Sequence, residues 1–245
     1  MNYTLNDSYQ NFQDCLLNIK DHFNKIKNNI HKARNELKIL TCSDIEIVVK
    51  SFKIPNIFNK VIYTFFRDSK AKKSYYNSLK LKDFTPKPIG YIEFFKNGLL
   101  DESYFISERF DYDFTIREPL LDSNFIQREQ VLQAFARFSF SLHNEGIFHK
   151  DFSPGNILIK KKNNSYSFKV VDINRMRFLT LTVNDRARNF SKLWASDKDL
   201  NIIATEYAKN AKLDEDFIHK ALYYSHKNKQ VKNFKKRLKG QKIDW

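Results

Sequence analysis

The chain has 245 residues, a formal net charge of +15 and apolar side chains at 42% of its positions. This length accommodates one large domain or two lobes around a cleft, and the apolar content suffices for a hydrophobic core. Only five glycines argue against a glycine-rich dinucleotide-binding fold. The positive charge favours an anionic partner, which could be a nucleic acid, an anionic membrane face or a phosphorylated substrate.

The cysteines and the N-terminus indicate the compartment of the protein, and the cysteines favour a reduced one. Cys15 and Cys42 match the spacing of neither a disulfide framework nor a zinc motif. The first residues lack the charged and apolar regions of a secretory signal, and no apolar run approaches the roughly 20 residues that span a bilayer. We therefore expect a cytoplasmic protein, or one held peripherally on the inner face of the cytoplasmic membrane.

The first 110 residues carry mixed helix and strand patterns. Apolar residues at steps of three and four predict an amphipathic helix over 8–27, capped by Asp7 or Ser8. Ser69 caps a second predicted helix over 69–82, which is the one helix expected between the strands of this part of the chain. β-Branched and aromatic runs bounded by turn residues predict strands at 30–39, 44–52, 89–95 and 103–110.

Helix patterns dominate after residue 110. They cover residues 126–144, 185–195, 197–210 and 214–226. The last segment, 227–242, contains eight Lys or Arg and no acidic residue. It is either a basic tail or a terminal helix, and it is either a solvated end or a binding patch.

The stretch from His149 to Asp172 carries the side chains suited to catalysis. Asp151 follows His149 by two positions, Asn156 begins a strand five positions later, and Asp172 ends the next apolar run. Phosphoryl transfer needs a carboxylate to accept the hydroxyl proton and oxygen ligands to hold Mg²⁺. We predict that Asp151 is the base, that Asn156 and Asp172 hold the metal, and that His149 supports the loop. Upstream, Lys50 is either a solvated strand residue or the cation that meets nucleotide phosphates.

The stretch His149-Lys-Asp-Phe-Ser-Pro-Gly-Asn-Ile-Leu resembles the catalytic loop of protein-kinase-like enzymes, and Asp172-Ile-Asn174 stands where that superfamily has Asp-Phe-Gly. Over about residues 30–195 the chain is most similar to the lipopolysaccharide kinases (Kdo/WaaP-like), which act on Kdo or heptose of the lipid A inner core. The segments that carry this resemblance are 48–53, 69–72, 85–88, 112–115 and 172–178.

The resemblance implies an α+β, protein-kinase-like bilobal fold as a single kinase-like domain. Residues 1–110 would form an antiparallel-sheet N-lobe with the N-terminal helix, and residues 111–245 a mainly helical C-lobe with the basic C-terminal segment. It implies ATP and Mg²⁺ as cofactors. The expected partners are a lipid-linked sugar acceptor, Kdo-lipid A, and an anionic membrane surface, with no nucleic acid.

The family pattern also assigns roles to single residues. It makes Lys50 the phosphate-binding lysine, Asp151 the base, and Asn156 and Asp172 the metal ligands. The supporting residues are His149, Ser153 and Arg175.

The adenine and phosphate contacts follow from the same resemblance. The backbone from Glu108 to Phe110 would meet adenine in the inter-lobe hinge. The stretch 32–35 would replace the glycine-rich loop, with Arg34 or Lys32 supplying charge, since this stretch contains no glycine.

Departures from the kinase pattern leave the function open. The helix 69–82 has no Glu to pair with Lys50, Ser153 stands where protein kinases have Lys, and no Ala-Pro-Glu follows Asp172. A Kdo kinase is the first hypothesis. A kinase-like phosphotransferase for a protein or another small molecule is the second, and a catalytically inactive kinase-like scaffold is the third. Nucleic-acid binding by the basic C-terminus has only charge behind it.

Overall fold

A computed structural model describes residues 1–27, 31–32, 35–163 and 165–241, without the side chains of 31–32. The chain divides into two compact units. Unit 1 comprises Met1–Asp111 with Asp172–Asn174, and unit 2 comprises Tyr112–Val171 with Arg175–Trp245. Within the described ranges, none of the helices combines the length and apolarity needed to cross a membrane.

Unit 1 is built on a six-stranded antiparallel sheet. Its strands are β1 (Asn2–Leu5), β2 (His31–Lys32), β3 (Glu36–Cys42), β4 (Ile45–Phe52), β5 (Pro88–Lys96) and β6 (Leu99–Glu108), in the spatial order β1-β5-β6-β4-β3-β2. Side chains alternate between the two faces of a strand. On β4, Ile47 and Val49 are therefore buried on one face, while Lys50 and Phe52 lie on the other.

The predicted N-terminal helix forms as a broken helical stretch on the first face of the sheet. It consists of a 3-10 turn (Asp7–Phe12), α1 (Gln13–Leu17) and α2 (Ile19–Lys25). Its apolar residues pack into the same core as Ile47 and Val49, as the periodicity predicts: Tyr9, Phe12, Leu16, Ile19 and Phe23. The cap differs from the prediction, because the side chain of Asn6 accepts the Ser8 N–H at 3.1 Å.

Two helices, rather than the one predicted, follow β4. α4 (Lys70–Leu81) begins after Ser69, whose hydroxyl caps it as the sequence predicts, and its residues Ala71 and Tyr75 pack with Phe52. The additional helix, α3 (Ile57–Phe65), is capped by Asn56. Its run of β-branched and aromatic residues has no helical bias of its own, so the Asn56 cap was its main local signal.

The two cysteines of the chain meet in unit 1. Cys15 of α1 and Cys42 at the end of β3 are joined by a disulfide, with Cα atoms 6.4 Å apart. The expectation, drawn from their spacing, that they form no disulfide is therefore wrong. The packing of α1 against the sheet creates the contact, because the two residues are 27 positions apart along the chain.

Unit 2 is mainly helical. Its helices are α5 (Arg117–Leu121), α6 (Arg128–Asn144), α7 (Val183–Phe190), α8 (Asp197–Ala211) and α9 (Asp216–Leu238). Its strands are β7 (Phe114–Thr115), β8 (Ile147–His149), β9 (Ile157–Lys162), β10 (Ser165–Val170) and β11 (Met176–Phe178), which form a three-stranded sheet β10-β9-β7 and the pair β11-β8. Most of the basic C-terminal segment is therefore a continuation of α9 rather than a tail.

An aromatic core holds unit 2 together. The ring of Phe135 on α6 lies 5.6 Å from that of Phe152, 6.3 Å from that of Phe168 and 6.4 Å from that of Phe190, measured between centroids. Phe135, Phe152 and Phe190 are fully buried. Because Phe152 directly follows Asp151, this core anchors the loop that carries the predicted base.

We expect Phe135→Ala to lower the free energy of unfolding by about 3–5 kcal/mol, since it removes a buried ring and leaves a cavity. Leu121→Ala is the matched control, because Leu121 is 79% exposed, and it should change stability by less than about 0.5 kcal/mol. Urea denaturation followed by circular dichroism measures both. Equal losses for the two variants would contradict the placement of Phe135 at the centre of the core.

Candidate active site

His149 organises the loop that carries Asp151. It is the last residue of β8 and fully buried. Its Nδ1 accepts the main-chain N–H of Asp151 at 3.0 Å, and its Nε2 donates to the carbonyl of Val171 at 2.9 Å. These two bonds require the neutral tautomer with its proton on Nε2. His149 thus holds the main chain on either side of the β9–β10 hairpin.

Asn156 completes the loop from the other side. Its Nδ2 donates to the carbonyl of Asp151 at 2.9 Å and to the hydroxyl of Ser153 at 3.0 Å. Its own carbonyl accepts the N–H of Val171 at 2.9 Å. Since the amide nitrogen is engaged within the loop, Oδ1 is the atom of this side chain that can bind a hard cation.

The carboxylate of Asp151 remains accessible while its main chain is held at both ends. Its side chain is 38% exposed, and Nη2 of Arg175 lies 4.0 Å from its Oδ2. A second cation, Lys192, is partly buried just after α7 and interacts electrostatically with Asp151. Burial, reinforced by Lys232, lowers the pKa of Lys192, and Asp151 opposes this shift. Lys192 belongs to no motif, so the sequence offered no signal for it.

A buried polar network supports the loop from below. Asn189 of α7 donates to the carbonyl of His149 at 2.8 Å, and its Oδ1 lies 3.0 Å from Nε2 of His143. Nδ1 of His143 lies 3.0 Å from the hydroxyl of Tyr207. Burial lowers the pKa of His143 to about 4, which keeps it neutral. Neither Asn189 nor His143 was among the predicted site residues, because their partners are distant in sequence.

In unit 1, Lys50 and Asp172 form an ion pair. Nζ of Lys50 lies 2.5 Å from Oδ1 of Asp172, and the two side chains are 13% and 28% exposed. Asn174 donates to the same oxygen at 2.9 Å. Asp172 has a φ of +56°, a left-handed conformation that Asp tolerates better than most residues. The residue at the position of the superfamily's Asp-Phe-Gly motif is thus held by a cation, an amide and its own backbone.

Helix α4 contacts this segment through an amide instead of a carboxylate. Nδ2 of Asn77 donates to the carbonyl of Ile173 at 2.7 Å. The sequence of α4 contains no Glu, so no ion pair can join this helix to Lys50. Sequence reasoning missed Asn77, although an amide on the inward side of a predicted helix is a signal that could have found it.

Glu108 and Phe110, the predicted adenine contacts, differ in their hydrogen bonds and in their surroundings. The N–H of Glu108 donates to the carbonyl of Lys87 at 2.9 Å, and its carboxylate accepts the hydroxyl of Tyr9 at 2.6 Å. Burial and this bond raise the pKa of Tyr9 above its usual range. Phe110 is partly buried just beyond β6. Because the N–H of Glu108 is already bonded, we assign the backbone contact with adenine, which stays a prediction, to Phe110. Arg34 lies outside the described residues.

The two predicted metal ligands each offer an oxygen atom of the kind that Mg²⁺ prefers. Among the described residues, no group of three or more His, Cys, Asp or Glu side chains could hold a metal by itself. Asp172 and Asn156 offer one carboxylate and one amide oxygen. Mg²⁺ commonly takes only one or two protein oxygens and completes its coordination with phosphates and water. Each of the two oxygens, one in unit 1 and one in unit 2, is thus of the type that Mg²⁺ accepts, and their joint role stays a prediction.

Comparison with known proteins relates the chain to a protein family and to a solved structure. The model of the lipopolysaccharide kinase (Kdo/WaaP) family matches residues 80–213, more than half of the chain. A solved structure, "WaaP in complex with acyl carrier protein", matches with a TM-score of 0.59 and 13% identity, over 94% of this chain and 99% of that chain. At this identity the likeness shows the fold alone, and it confirms the predicted α+β, kinase-like fold class. Curated protein sequences give no match.

We expect acidification to destabilise the protein through His143. Because its folded pKa of about 4 lies below the ordinary value of 6.5, the unfolded chain binds this proton first as the pH falls. The stabilisation that neutral His143 provides is complete above pH 6.5. From pH 6.5 down to pH 4 the free energy of unfolding falls by about 1.4 kcal/mol per pH unit. Urea denaturation at several pH values should show this slope in the parent and a smaller one in His143→Gln. Identical slopes would contradict it.

Proposed function

Because the chain belongs to the lipopolysaccharide kinase (Kdo/WaaP) family, we propose that this kinase transfers the γ-phosphoryl group of ATP to a sugar hydroxyl. The favoured acceptor is Kdo of the lipopolysaccharide inner core, presented as Kdo-lipid A. One observation carries the proposal: the loop around Asp151 combines a main chain held at both ends with an accessible carboxylate.

Asp151 is the proposed general base. Its N–H is bonded to His149 and its carbonyl to Asn156, so the carboxylate projects from a fixed main chain. Such positioning lets one oxygen accept the proton of the attacking hydroxyl with little reorganisation. Ser153 contributes by receiving a hydrogen bond from Asn156, which helps to orient the amide.

Lys50, Asp172 and Asn156 are the proposed ligands of the nucleotide and its metal. Lys50 would bind phosphate oxygens, Asp172 and Asn156 would hold Mg²⁺, and the backbone near Phe110 would meet adenine. When bound, Mg²⁺ would neutralise charge on the phosphates during transfer. The existing ion pair keeps Lys50 extended towards the carboxylate, which supports a role for both groups in one charged assembly.

The cations around Asp151 support an anionic acceptor. Exposed Arg175 and partly buried Lys192 both interact with the charge of Asp151. They would attract a carboxylate or phosphate on the acceptor, and both groups occur in Kdo-lipid A. The net charge of +15 supports an anionic membrane surface as a second partner, at the inner face of the cytoplasmic membrane. Nothing beyond charge favours nucleic acid.

A catalytically inactive scaffold is the second candidate. The absence of Glu from α4 is the observation that favours it, because active protein kinases pair such a residue with the lysine. Asn77 and Asp172 take over the structural part of that role by holding Ile173 and Lys50. Activity assays therefore decide between the two candidates, and an acceptor panel tests other small molecules and proteins.

We expect the purified protein to transfer labelled phosphate from ATP to Kdo-lipid A. Asp151→Asn should lower kcat by about 10²–10⁴-fold, because it removes the base without changing the shape of the side chain. Asp214→Asn, at an exposed aspartate of the same unit, is the control and should retain parental activity. Absence of transfer by the parent, with ATP bound, would reject the proposed function and favour the scaffold.

Nucleotide binding should depend on Lys50 and on a divalent cation. Lys50→Ala should weaken ATP binding about 10–100-fold, since a charge-assisted contact is worth about 1.5–3 kcal/mol. Lys96→Ala, at an exposed lysine of β5, is the control. Calorimetric titration measures affinity, and EDTA should abolish transfer until Mg²⁺ is restored. Unchanged ATP affinity in Lys50→Ala would remove this residue from the site.

A further inference from the structure

Helix α3 presents an apolar face to solvent. None of its nine residues is buried. Phe58 is 80% exposed, Phe65 67% and Phe66, just beyond the helix, 78%. Ile57 and Val61 are exposed on the same side, at helical steps of four from Phe65. These side chains form one continuous stripe, which we name the α3 surface.

Polar contacts hold α3 in this orientation. Nζ of Lys60 pairs with the carboxylate of Asp101 on β6. The hydroxyl of Thr64 accepts the N–H of Leu100 at 2.9 Å. Lys60 and Thr64 lie one turn apart, so the polar side of α3 faces the sheet and the apolar side faces outward. This reverses the usual arrangement of a surface helix, in which the apolar stripe faces the core.

The α3 surface places five exposed apolar side chains within ten positions of the chain. Single exposed apolar residues are common, but a contiguous group of them on a soluble protein usually marks an interaction site. By contrast, the neighbouring helices α1, α2 and α4 all bury apolar residues in the two cores of unit 1. The exposed stripe is therefore a candidate interaction site.

The segment of the chain that carries α3 is rich in positive charge. Residues 53–82 contain eight Lys or Arg and a single Asp. Lys53 and Arg67, exposed on either side of α3, flank the stripe in sequence. Apolar and aromatic side chains framed by cations are typical of helices that lie in the interface of an anionic membrane. Each cation near such a membrane contributes about 1 kcal/mol to binding.

We propose that the α3 surface docks this protein onto an anionic lipid bilayer, with Phe58, Phe65 and Phe66 inserted at the headgroup boundary. A nine-residue helix is only about 14 Å long, which is small for a stable protein interface but sufficient for interfacial insertion. The side chains project from the helix rather than line a groove, which also suits a fluid ligand. The proposal rests on the proposed function only in choosing a membrane that would carry the acceptor.

Vesicle binding by the full chain, without ATP or acceptor, tests this surface. The parent should co-sediment with phosphatidylcholine vesicles that contain phosphatidylglycerol and much less with pure phosphatidylcholine. The triple variant Phe58→Ser/Phe65→Ser/Phe66→Ser should bind at least about tenfold more weakly, given the apolar transfer free energy that it loses. The control Leu121→Ser/Ile126→Ser alters residues that are 79% and 80% exposed and should bind like the parent.

Charge and insertion are separately measurable. Lys53→Gln/Arg67→Gln should weaken binding about fivefold per cation removed, the equivalent of about 1 kcal/mol each. In Phe58→Trp, the added fluorescence should shift to shorter wavelength on anionic vesicles, whereas that of Leu121→Trp should not. Circular dichroism confirms that each variant is folded.

Three results would overturn the proposal: no binding of the parent to anionic vesicles, equal binding of the triple variant and the parent, or retention of an acidic protein by the α3 surface without vesicle binding. The kinase activity is tested apart from docking. On detergent-dispersed Kdo-lipid A the triple variant should transfer phosphate like the parent, whereas on vesicle-embedded acceptor it should be slower. Loss of transfer by the parent in detergent would count against the proposed function alone.

Discussion

The ion pair between Lys50 and Asp172 is the constraint on which the proposed nucleotide-binding groups of unit 1 depend. Both side chains are largely removed from water, and a lysine in that position is stable only beside an opposite charge. The pair brings Asp172 to Asn174 into unit 1, although the chain before and after them belongs to unit 2. The left-handed backbone at Asp172 and the amide of Asn77 then hold this segment against α4 and the sheet.

In unit 2, the loop that carries the proposed base is held by neutral groups instead of an ion pair. His149 and Asn156 take up the main-chain N–H and carbonyl of Asp151, while Phe152 buries its ring in the aromatic core. Buried Asn189 holds the carbonyl of His149, so the loop is supported by groups that carry no charge. The charged groups of this region are thereby limited to Asp151 and its neighbouring cations, which would face the proposed phosphoryl acceptor.

The helices of unit 1 use apolar faces in two ways. α1 and α2 turn theirs into the core of the sheet, whereas α3 turns its face outward because Lys60 and Thr64 anchor its polar side. The two arrangements require similar sequence patterns, since periodicity shows that a face is apolar without showing what covers it. The chain belongs to a lipopolysaccharide kinase family, and an outward apolar face beside basic residues fits the proposed docking onto an anionic lipid surface.

The sequence by itself determined the elements that rest on local signals. Ser69 capped α4, periodicity located α6 and the N-terminal helical stretch, and the spacing of Asp151, Asn156 and Asp172 indicated phosphoryl transfer, because caps, faces and loop spacings are encoded by near neighbours. The roles of these three residues remain proposals. Tertiary structure alone decided the features that join distant residues. These are the orientation of α3, the Cys15–Cys42 bond, and the contacts of Asn77, Asn189 and Lys192. No local pattern encodes a partner that lies dozens of positions away, so only packing could reveal them.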